Sequence, residues 1–361
     1  MFNSLRKSVR VVAAAGLVVM GMAGMAGMAG TANAVEIQGA GSTFVAPIML
    51  KLWIPKFMQS HPNIKVDYQP IGSGGGINGL INKTINFCGS DAPMTDSQIQ
   101  SSGGAVLHLP DSAGPEVISY NLPMIHQPLT MNGKLIADIY LGKVTKWNDP
   151  EMAALNPGIS LPELHIKVAH RSDGSGTTYI FTGYLCKVSR QWASQVGQST
   201  SVSWPVGRGG KGNPGVAALI EKTVGGLGYL EYAYATLGHF PTATLINRDG
   251  YPIRPTIPTV VAAQKAVVAN LPADFRLPII NPTGQHAYPI SGFTYIILDK
   301  DLGYMSQAKA KATVKFVRWI LTRGQKYCAR LDYVKLGPAM RDKILAELAT
   351  ATWKGQPLTG N

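Results

Sequence analysis

The chain has 361 residues and a formal net charge of +13, and only 15% of its residues are charged. This length allows a large buried core and favours two lobes over one. The positive charge suits an anionic ligand, but no long run of Lys or Arg and no aromatic platforms accompany it, which argues against a nucleic-acid-binding protein.

The first segment has the features of a secretory signal peptide. Arg6, Lys7 and Arg10 precede a short apolar stretch and a glycine-rich repeat, and small residues up to Ala34 complete a cleavage site. We therefore expect residues 1–34 to be removed after Ala34 and the mature protein to be soluble and exported. A spanning helix is the alternative, but the apolar core is short. Because no cysteine follows the cleavage site, no lipid anchor is expected.

After this segment, strand and helix patterns alternate along the chain. The strand patterns cover residues 64–68, 116–120, 166–170 and 295–298. The helical patterns begin near residues 44, 77, 134, 177, 216 and 308. This alternation predicts an α/β fold with mostly parallel strand connections. Pro55 lies inside the first helical pattern and is expected to kink or end it.

Turns rich in glycine and hydroxyl groups precede several of these helices. They cover residues 39–44, 71–76 and 171–177. A helix N-terminus presents unpaired backbone N–H groups and a positive dipole end, and glycine lets the backbone approach a ligand closely. The third turn also carries the guanidinium of Arg171 and the carboxylate of Asp173. Together the turns predict one convergent oxyanion site.

Two nucleotide-binding patterns are excluded by their spacing. The turn at 39–44 lacks the third glycine of a dinucleotide fingerprint, and no acidic residue follows at the ribose distance. The segment 207–212 resembles a phosphate-binding P-loop, but Asn213 stands where Ser or Thr is required.

The cysteines and histidines predict no further chemistry. Cys88, Cys186 and Cys328 could form a disulfide in an oxidising compartment, but an odd number and uninformative spacing favour buried free thiols. The histidines show no metal-ligand spacing, so no metal and no other cofactor is expected.

Six ordered blocks resemble the phosphate-binding proteins of the bacterial high-affinity phosphate ABC transporter, the PstS family. They are Gly39-Ala-Gly-Ser-Thr-Phe, Tyr68-Gln-Pro-Ile-Gly-Ser, Gly89-Ser-Asp-Ala-Pro, Asp138-Ile-Tyr-Leu-Gly-Lys-Val-Thr-Lys-Trp, Arg171-Ser-Asp-Gly-Ser-Gly-Thr and Gly225-Gly-Leu-Gly-Tyr-Leu-Glu-Tyr-Ala-Tyr-Ala. The blocks are collinear with the family and cover essentially all of the chain after the signal peptide.

The resemblance implies a type II periplasmic binding-protein fold. In this α/β fold, two lobes are joined by a two-strand hinge, and the ligand cleft lies between them. Lobe I would comprise residues 35–113 together with 288–361, and lobe II would comprise residues 114–287.

The resemblance also implies a set of phosphate ligands. Carried over position by position, they are Thr43, Phe44 through its backbone N–H, Ser73, Asp91, Arg171, Ser175, Gly176 and Thr177. Asp173 is implied as a supporting residue that pairs with Arg171. The chain departs from the family at Val45, where proline is usual, at Gly74, where a second serine is common, and at Cys88. These departures concern local packing rather than ligand identity.

The chemistry of this set favours phosphate over sulfate. Phosphate near neutral pH carries one or two protons and sulfate carries none, so an acceptor that requires a proton can separate them. We expect Asp91 to be that acceptor, because sulfate would place two buried negative charges together without a bridging proton. Arg171 offers planar, charge-assisted donors to a tetrahedral oxyanion.

The implied function is capture of inorganic phosphate in the periplasm and its delivery to the membrane permease subunits of an ABC transporter. The protein is expected to be a monomer that catalyses no reaction and binds no nucleic acid. A phosphate-ester hydrolase is an alternative, although no Gly-x-Ser-x-Gly elbow and no His/Asp metal cluster is present in the sequence. A phosphate sensor is a further alternative, because sensing and transport both depend on the closed form.

Overall fold

The computed structural model describes residues 34–358. Residues 34–358 form one compact unit. The predicted signal peptide, apart from Ala34, lies outside the described residues. Among residues 34–358, every helix is too short or too polar to cross a membrane.

Strands and helices alternate over most of this unit. The strands are β1 (Val35–Gly41), β2 (Ile64–Gln69), β3 (Phe87–Ser90), β4 (Val106–Tyr120), β5 (Thr130–Met131), β6 (Lys167–Arg171), β7 (Arg208–Gly210), β8 (Gly226–Glu231), β9 (Thr244–Ile246), β10 (Pro252–Ile253), β11 (Ile279–Ile280), β12 (Ile290–Asp299), β13 (Thr352–Trp353) and β14 (Gln356–Pro357). The helices are α1 (Ala46–Ile48), α2 (Ile54–Ser60), α3 (Ser73–Ile81), α4 (Asp96–Ser101), α5 (Gly133–Tyr140), α6 (Pro150–Leu155), α7 (Gly176–Val188), α8 (Arg190–Gln195), α9 (Gly212–Glu221), α10 (Tyr232–Leu237), α11 (Ile257–Val268), α12 (Gln307–Leu321) and α13 (Pro338–Leu348).

One large mixed sheet organises the molecule. Its strand order is β2-β1-β3-β12-β4-β8-β6-β7, and β11 pairs with β12. The strands at each end of this order are parallel, whereas β12 and β4 run antiparallel to their neighbours. The α/β prediction is confirmed. The expectation of mostly parallel connections is correct at the two ends and wrong in the middle, where long strands cross the molecule.

Strand β4 joins the two ends of the sheet. Its residues 106–115 pair with β12, and its residues 116–120 pair with β8. We call β2, β1, β3, β12 and the first part of β4 the first half-sheet, and β8, β6, β7 and the last part of β4 the second half-sheet. The predicted lobe boundary at 113–114 falls inside β4, and the boundary at 287–288 falls just before β12. The division at these residues stays a prediction.

Two local predictions differ in detail from the structure. Helix α3 begins at Ser73, earlier than the predicted start near Ile77, because the glycines that follow Ser73 are already helical. Pro55 lies in the first turn of α2, directly after a π-helical segment at Met49–Trp53. In a π-helix each N–H bonds to the carbonyl five residues earlier instead of four. This change comes just before Pro55, which has no backbone N–H, so the helical stretch continues past the proline.

The cysteines are free thiols. Cys88 and Cys328 are buried, as expected, but Cys186 is only half-buried. Cys186 lies in the last turn of α7.

Very close backbone packing brings the first two glycine-rich turns together. Gly41 ends β1 with φ of +136°, and a β-carbon there would overlap the carbonyl oxygen of Gly89. A β-carbon on Gly76 of α3 would lie 2.6 Å from the Cα atom of Gly41. Strand β1, strand β3 and helix α3 therefore meet where no side chain fits.

Replacing Gly41 with alanine tests this packing. We expect Gly41→Ala to lower the free energy of unfolding by about 3 kcal/mol or more, because it adds overpacking to a backbone angle that favours glycine. Gly337→Ala is the matched control, since its added methyl group meets nothing within 4 Å. Urea unfolding of both variants measures the difference. Equal stability of the two variants would contradict the packing described here.

Candidate functional site

The first half-sheet places three of the predicted ligands at one edge. Strands β2, β1 and β3 are parallel neighbours, so their carboxyl ends share that edge. Thr43 follows β1, Ser73 begins α3 after β2, and Asp91 follows β3. Ser73 Oγ donates to Asp91 Oδ2 at 3.3 Å, and the Asp91 backbone N–H donates to Ser73 Oγ at 3.2 Å. All three residues are buried.

The second half-sheet contributes the turn at 171–177. Arg171 ends β6, and Ser175 caps the N-terminus of α7 by accepting from the backbone N–H of Thr178 at 3.0 Å. Gly176 and Thr177 form the first turn of that helix. The helix N-terminus therefore points its dipole at the region beside Arg171.

The guanidinium of Arg171 is held on two sides. Its Nε donates to Asp173 Oδ1 at 2.8 Å, and Nη2 donates to Asp173 Oδ2 at 2.5 Å. The other terminal nitrogen donates to Thr177 Oγ1 at 3.1 Å. Asp173 Oδ1 also accepts from the backbone N–H of Gly212 at 2.9 Å. Burial acts to raise the pKa of Asp173, but the bonds from Arg171 outweigh it and hold the pKa below its usual range. Asp173 therefore stays ionised and fixes the guanidinium plane.

Asp91 is buried and has a perturbed pKa. Its Oδ1 accepts from Ser42 Oγ at 2.5 Å. Burial raises the pKa of Asp91 to about 6, although the Ser42 bond and the charge of Arg171 act in the opposite direction. A carboxyl group with such a pKa changes between its protonated and ionised forms near pH 6. It can accept a hydrogen bond from a protonated oxyanion when it is ionised.

The groups from the two half-sheets are in direct contact. A β-carbon on Gly176 would lie 2.5 Å from Asp91 Oδ2 and 2.6 Å from Ser73 Oγ. Gly74 N–H donates to the carbonyl of Gly174 at 2.9 Å, and a β-carbon on Gly74 would lie 3.0 Å from the Cα atom of Gly174. Glycine at position 74 therefore accompanies a close approach between the half-sheets. The site is closed in this structure.

Asn213 is a site residue that sequence reasoning missed. It is buried in α9, and its Nδ2 donates to Thr43 Oγ1 at 2.9 Å and to Thr177 Oγ1 at 3.1 Å. Its Oδ1 accepts from the backbone N–H of Glu231 at 3.0 Å. Asn213 thus links the two groups of predicted ligands. The one feature of the sequence that singles it out is its place directly after the glycine-rich segment 207–212.

Ser42 was also missed as an individual residue, although it lies in a predicted turn. Its Oγ accepts from the backbone N–H of Phe44 at 2.9 Å, besides donating to Asp91. In this structure the backbone N–H of Phe44, predicted to donate to phosphate, therefore points at the Ser42 hydroxyl, which itself contacts Asp91. The structure brings together all the predicted residues, and their roles toward a ligand stay predictions.

The described residues contain no group of three or more His, Cys, Asp or Glu side chains that could hold a metal ion. A cavity of about 30 Å³ adjoins Asp91 and Tyr179. Larger cavities lie away from the predicted ligands; one of about 740 Å³ is lined by residues such as Tyr120 and His126. The predicted ligand groups therefore lie together in the narrow contact region between the half-sheets and not in a large cavity.

Comparisons with known proteins agree with this architecture. Residues 26–323 match the family model described as PBP superfamily domain. The chain is 40% identical over 319 residues to the phosphate-binding protein PstS of Xylella fastidiosa, which covers 88% of this chain and 86% of that protein.

Two solved structures are similar in fold. One is a high-affinity periplasmic phosphate-binding protein bound with phosphate, with a TM-score of 0.69 and 18% identity, covering 86% of this chain and 93% of that one. The other is an ABC-type phosphate transport receptor from Vibrio cholerae, with a TM-score of 0.54 and 17% identity, covering 83% of this chain and all of that one. These similarities confirm the predicted two-lobe periplasmic binding fold.

The raised pKa of Asp91 predicts a pH-dependent effect of Asp91→Asn on stability without added anions. As the pH rises from 4 to 6, the unfolded chain loses this proton before the folded chain does, so the carboxyl group progressively destabilises the fold. The shift from 3.8 to about 6 corresponds to about 3 kcal/mol. We expect Asp91→Asn to unfold at a higher temperature than the parent at pH 8 and at a similar temperature at pH 4.

The control for this prediction is Asp67→Asn, which changes an exposed carboxyl group on β2. Thermal unfolding at several pH values compares the two variants with the parent. An advantage of Asp91→Asn that does not change between pH 4 and pH 8 would contradict the assigned direction of the shift.

Proposed function

Because this chain belongs to the PstS family of phosphate-binding proteins, within the PBP superfamily, we propose that it captures inorganic phosphate between its two lobes and delivers it to an ABC transporter for import. The observation that carries this function is that Arg171 and Asp91, from opposite half-sheets, are both buried and lie close enough for the charge of Arg171 to lower the pKa of Asp91. Arg171 provides charge-assisted donors that Asp173 holds in place, and Asp91 provides an acceptor.

The proposed phosphate shell combines these two residues with neutral donors. It consists of Thr43, the backbone N–H of Phe44, Ser73, Asp91, Arg171, Ser175, Gly176 and Thr177. Their burial supports the proposal, because dipoles and charges act most strongly on an anion from which water is excluded. Asp173 supports the shell by orienting the guanidinium.

Asp91 is proposed to give the site its preference for phosphate. A protonated phosphate oxygen can donate to the carboxylate, whereas sulfate has no proton to donate near neutral pH. Ser42 and Ser73 already donate to the two carboxylate oxygens. They support the ionised form of Asp91 that accepts from phosphate.

The remaining expectations concern the cellular setting. We propose that the protein works in the periplasm as a monomer, that it is cleaved after Ala34, and that membrane permease subunits recognise its closed form.

Lobe I is proposed to comprise residues 35–113 with 288–361, and lobe II residues 114–287. The course of β4 from the first half-sheet into the second supports a hinge that passes through this strand.

We propose that the protein has no catalytic activity of its own. The family of phosphate-binding proteins supports this assignment. Turnover of a phosphate ester that depends on Arg171 would instead favour the phosphatase alternative. Restoration of phosphate uptake in cells that lack their own phosphate-binding protein distinguishes transport from sensing alone.

Removing the guanidinium tests the position of the site. We expect Arg171→Ala to weaken phosphate binding by about 100-fold or more, because charge-assisted hydrogen bonds to the anion are lost. Arg190→Ala is the control, since it removes an exposed cation on α8. Titration calorimetry measures both. Unchanged phosphate affinity in Arg171→Ala would show that the site lies elsewhere.

Neutralising the acceptor tests the basis of selectivity. We expect Asp91→Asn to reduce the ratio of phosphate to sulfate affinity by at least about 10-fold, because the buried negative charge that repels sulfate is removed. Competition of sulfate with phosphate in a binding assay measures this ratio, with Asp67→Asn as control. If the ratio in Asp91→Asn equals that of the parent protein, another group discriminates between the anions.

A further inference from the structure

Tyrosine hydroxyl groups bind successive carbonyl oxygens of the turn at 42–44. Tyr68 donates to the carbonyl of Ser42 at 2.9 Å, Tyr234 to the carbonyl of Thr43 at 2.7 Å, and Tyr333 to the carbonyl of Phe44 at 2.6 Å. The turn that carries two proposed phosphate ligands is therefore held through its backbone from outside.

These tyrosines come from different parts of the fold. Tyr68 lies in β2, in the first half-sheet. Tyr333 precedes Val334, which forms backbone hydrogen bonds with Ala113 in the part of β4 that belongs to the first half-sheet. Tyr234 lies in α10, directly after β8 of the second half-sheet. Only the Tyr234 bond among the three joins the turn to the opposite half.

Asn213 makes a second connection to the same residue. Its backbone N–H and its Nδ2 donate to Thr43 Oγ1 at 3.1 and 2.9 Å. Thr43 is 3% exposed and Asn213 is fully buried. The carbonyl and the hydroxyl of Thr43 are thus both bound by groups of the second half-sheet. Parting of the lobes breaks these bonds, because their partners lie on opposite sides of the cleft.

The Tyr234 bond also fixes the direction of a proposed ligand donor. The carbonyl of Thr43 and the N–H of Phe44 belong to one planar trans peptide unit, in which they point in opposite directions. Holding the Thr43 oxygen toward α10 therefore directs the Phe44 N–H away from α10. That N–H donates to Ser42 Oγ, whose hydroxyl contacts Asp91.

We propose that Tyr234 and Asn213 are positioning residues that hold the turn at 42–44 against the second lobe in the closed state and thereby slow the release of phosphate. This inference rests on the proposed function. Their action is indirect: Tyr234 acts through the Thr43–Phe44 peptide unit, and Asn213 acts through the Thr43 hydroxyl. Their bonds to Thr43 exist only when the lobes are closed.

Tyr234→Phe tests this inference, because it removes one hydroxyl and keeps the ring. Stopped-flow measurement of phosphate release from the full mature protein is expected to show release about 5-fold faster than in the parent, as the loss of one hydrogen bond predicts. The association rate constant is expected to change by less than about 2-fold, because the lobes are open when phosphate enters. Asn213→Ala is expected to accelerate release in the same way.

Tyr68→Phe is the matched comparison. It removes the same kind of bond from the preceding carbonyl, that of Ser42, but this bond lies within the first half-sheet and persists when the lobes part. We expect it to lower the melting temperature and to leave the release rate close to that of the parent.

The outcomes separate this inference from the proposed function. If the parent protein binds no phosphate, the proposed function fails. If the parent binds phosphate and neither Tyr234→Phe nor Asn213→Ala accelerates release, only the positioning role fails. Equal acceleration by Tyr234→Phe and Tyr68→Phe also overturns it, since it would show general loosening of the turn.

Discussion

The candidate site depends on the pairing of the Arg171 guanidinium with the carboxylate of Asp173. Asp173 binds the guanidinium through two nearly parallel hydrogen bonds, so the pair carries little net charge before any anion arrives. The guanidinium still has a terminal nitrogen on the Thr177 side. In this account an anion is bound by oriented donors and the N-terminus of α7 rather than by excess positive charge. That arrangement suits selectivity, because an unpaired buried cation would attract any anion.

Burial also reduces the negative charge of carboxyl groups near the site. Asp111 and Glu116 on β4 and Glu231 on β8 are fully buried, and burial raises the pKa of each well above its usual range. Burial therefore favours the protonated, neutral form of each. Glu116 and Glu231 face each other in register where β4 passes between the half-sheets. In that form these residues add no negative charge behind the site that would repel an anion.

The sequence predicted the three glycine-rich turns because glycine and hydroxyl residues between a strand and a helix leave a local pattern. It did not reveal Asn213 or Tyr234, since a single polar residue on a helix carries no sign of the distant turn that it binds. The antiparallel centre of the sheet was missed for a related reason: strand direction depends on which distant strands pair. The resemblance predicts Asp91 as a ligand, but the proton equilibrium of its carboxyl group depends on burial and on Ser42, which only the folded chain supplies.

A crystal structure of the mature protein with phosphate at about pH 8 tests the central claim most directly. We predict a tetrahedral anion between the lobes, with one oxygen within about 3 Å of Asp91 and others within the same distance of Arg171 and the Phe44 backbone nitrogen. Phosphate bound outside this contact region, or bound there without touching Asp91, would contradict the account.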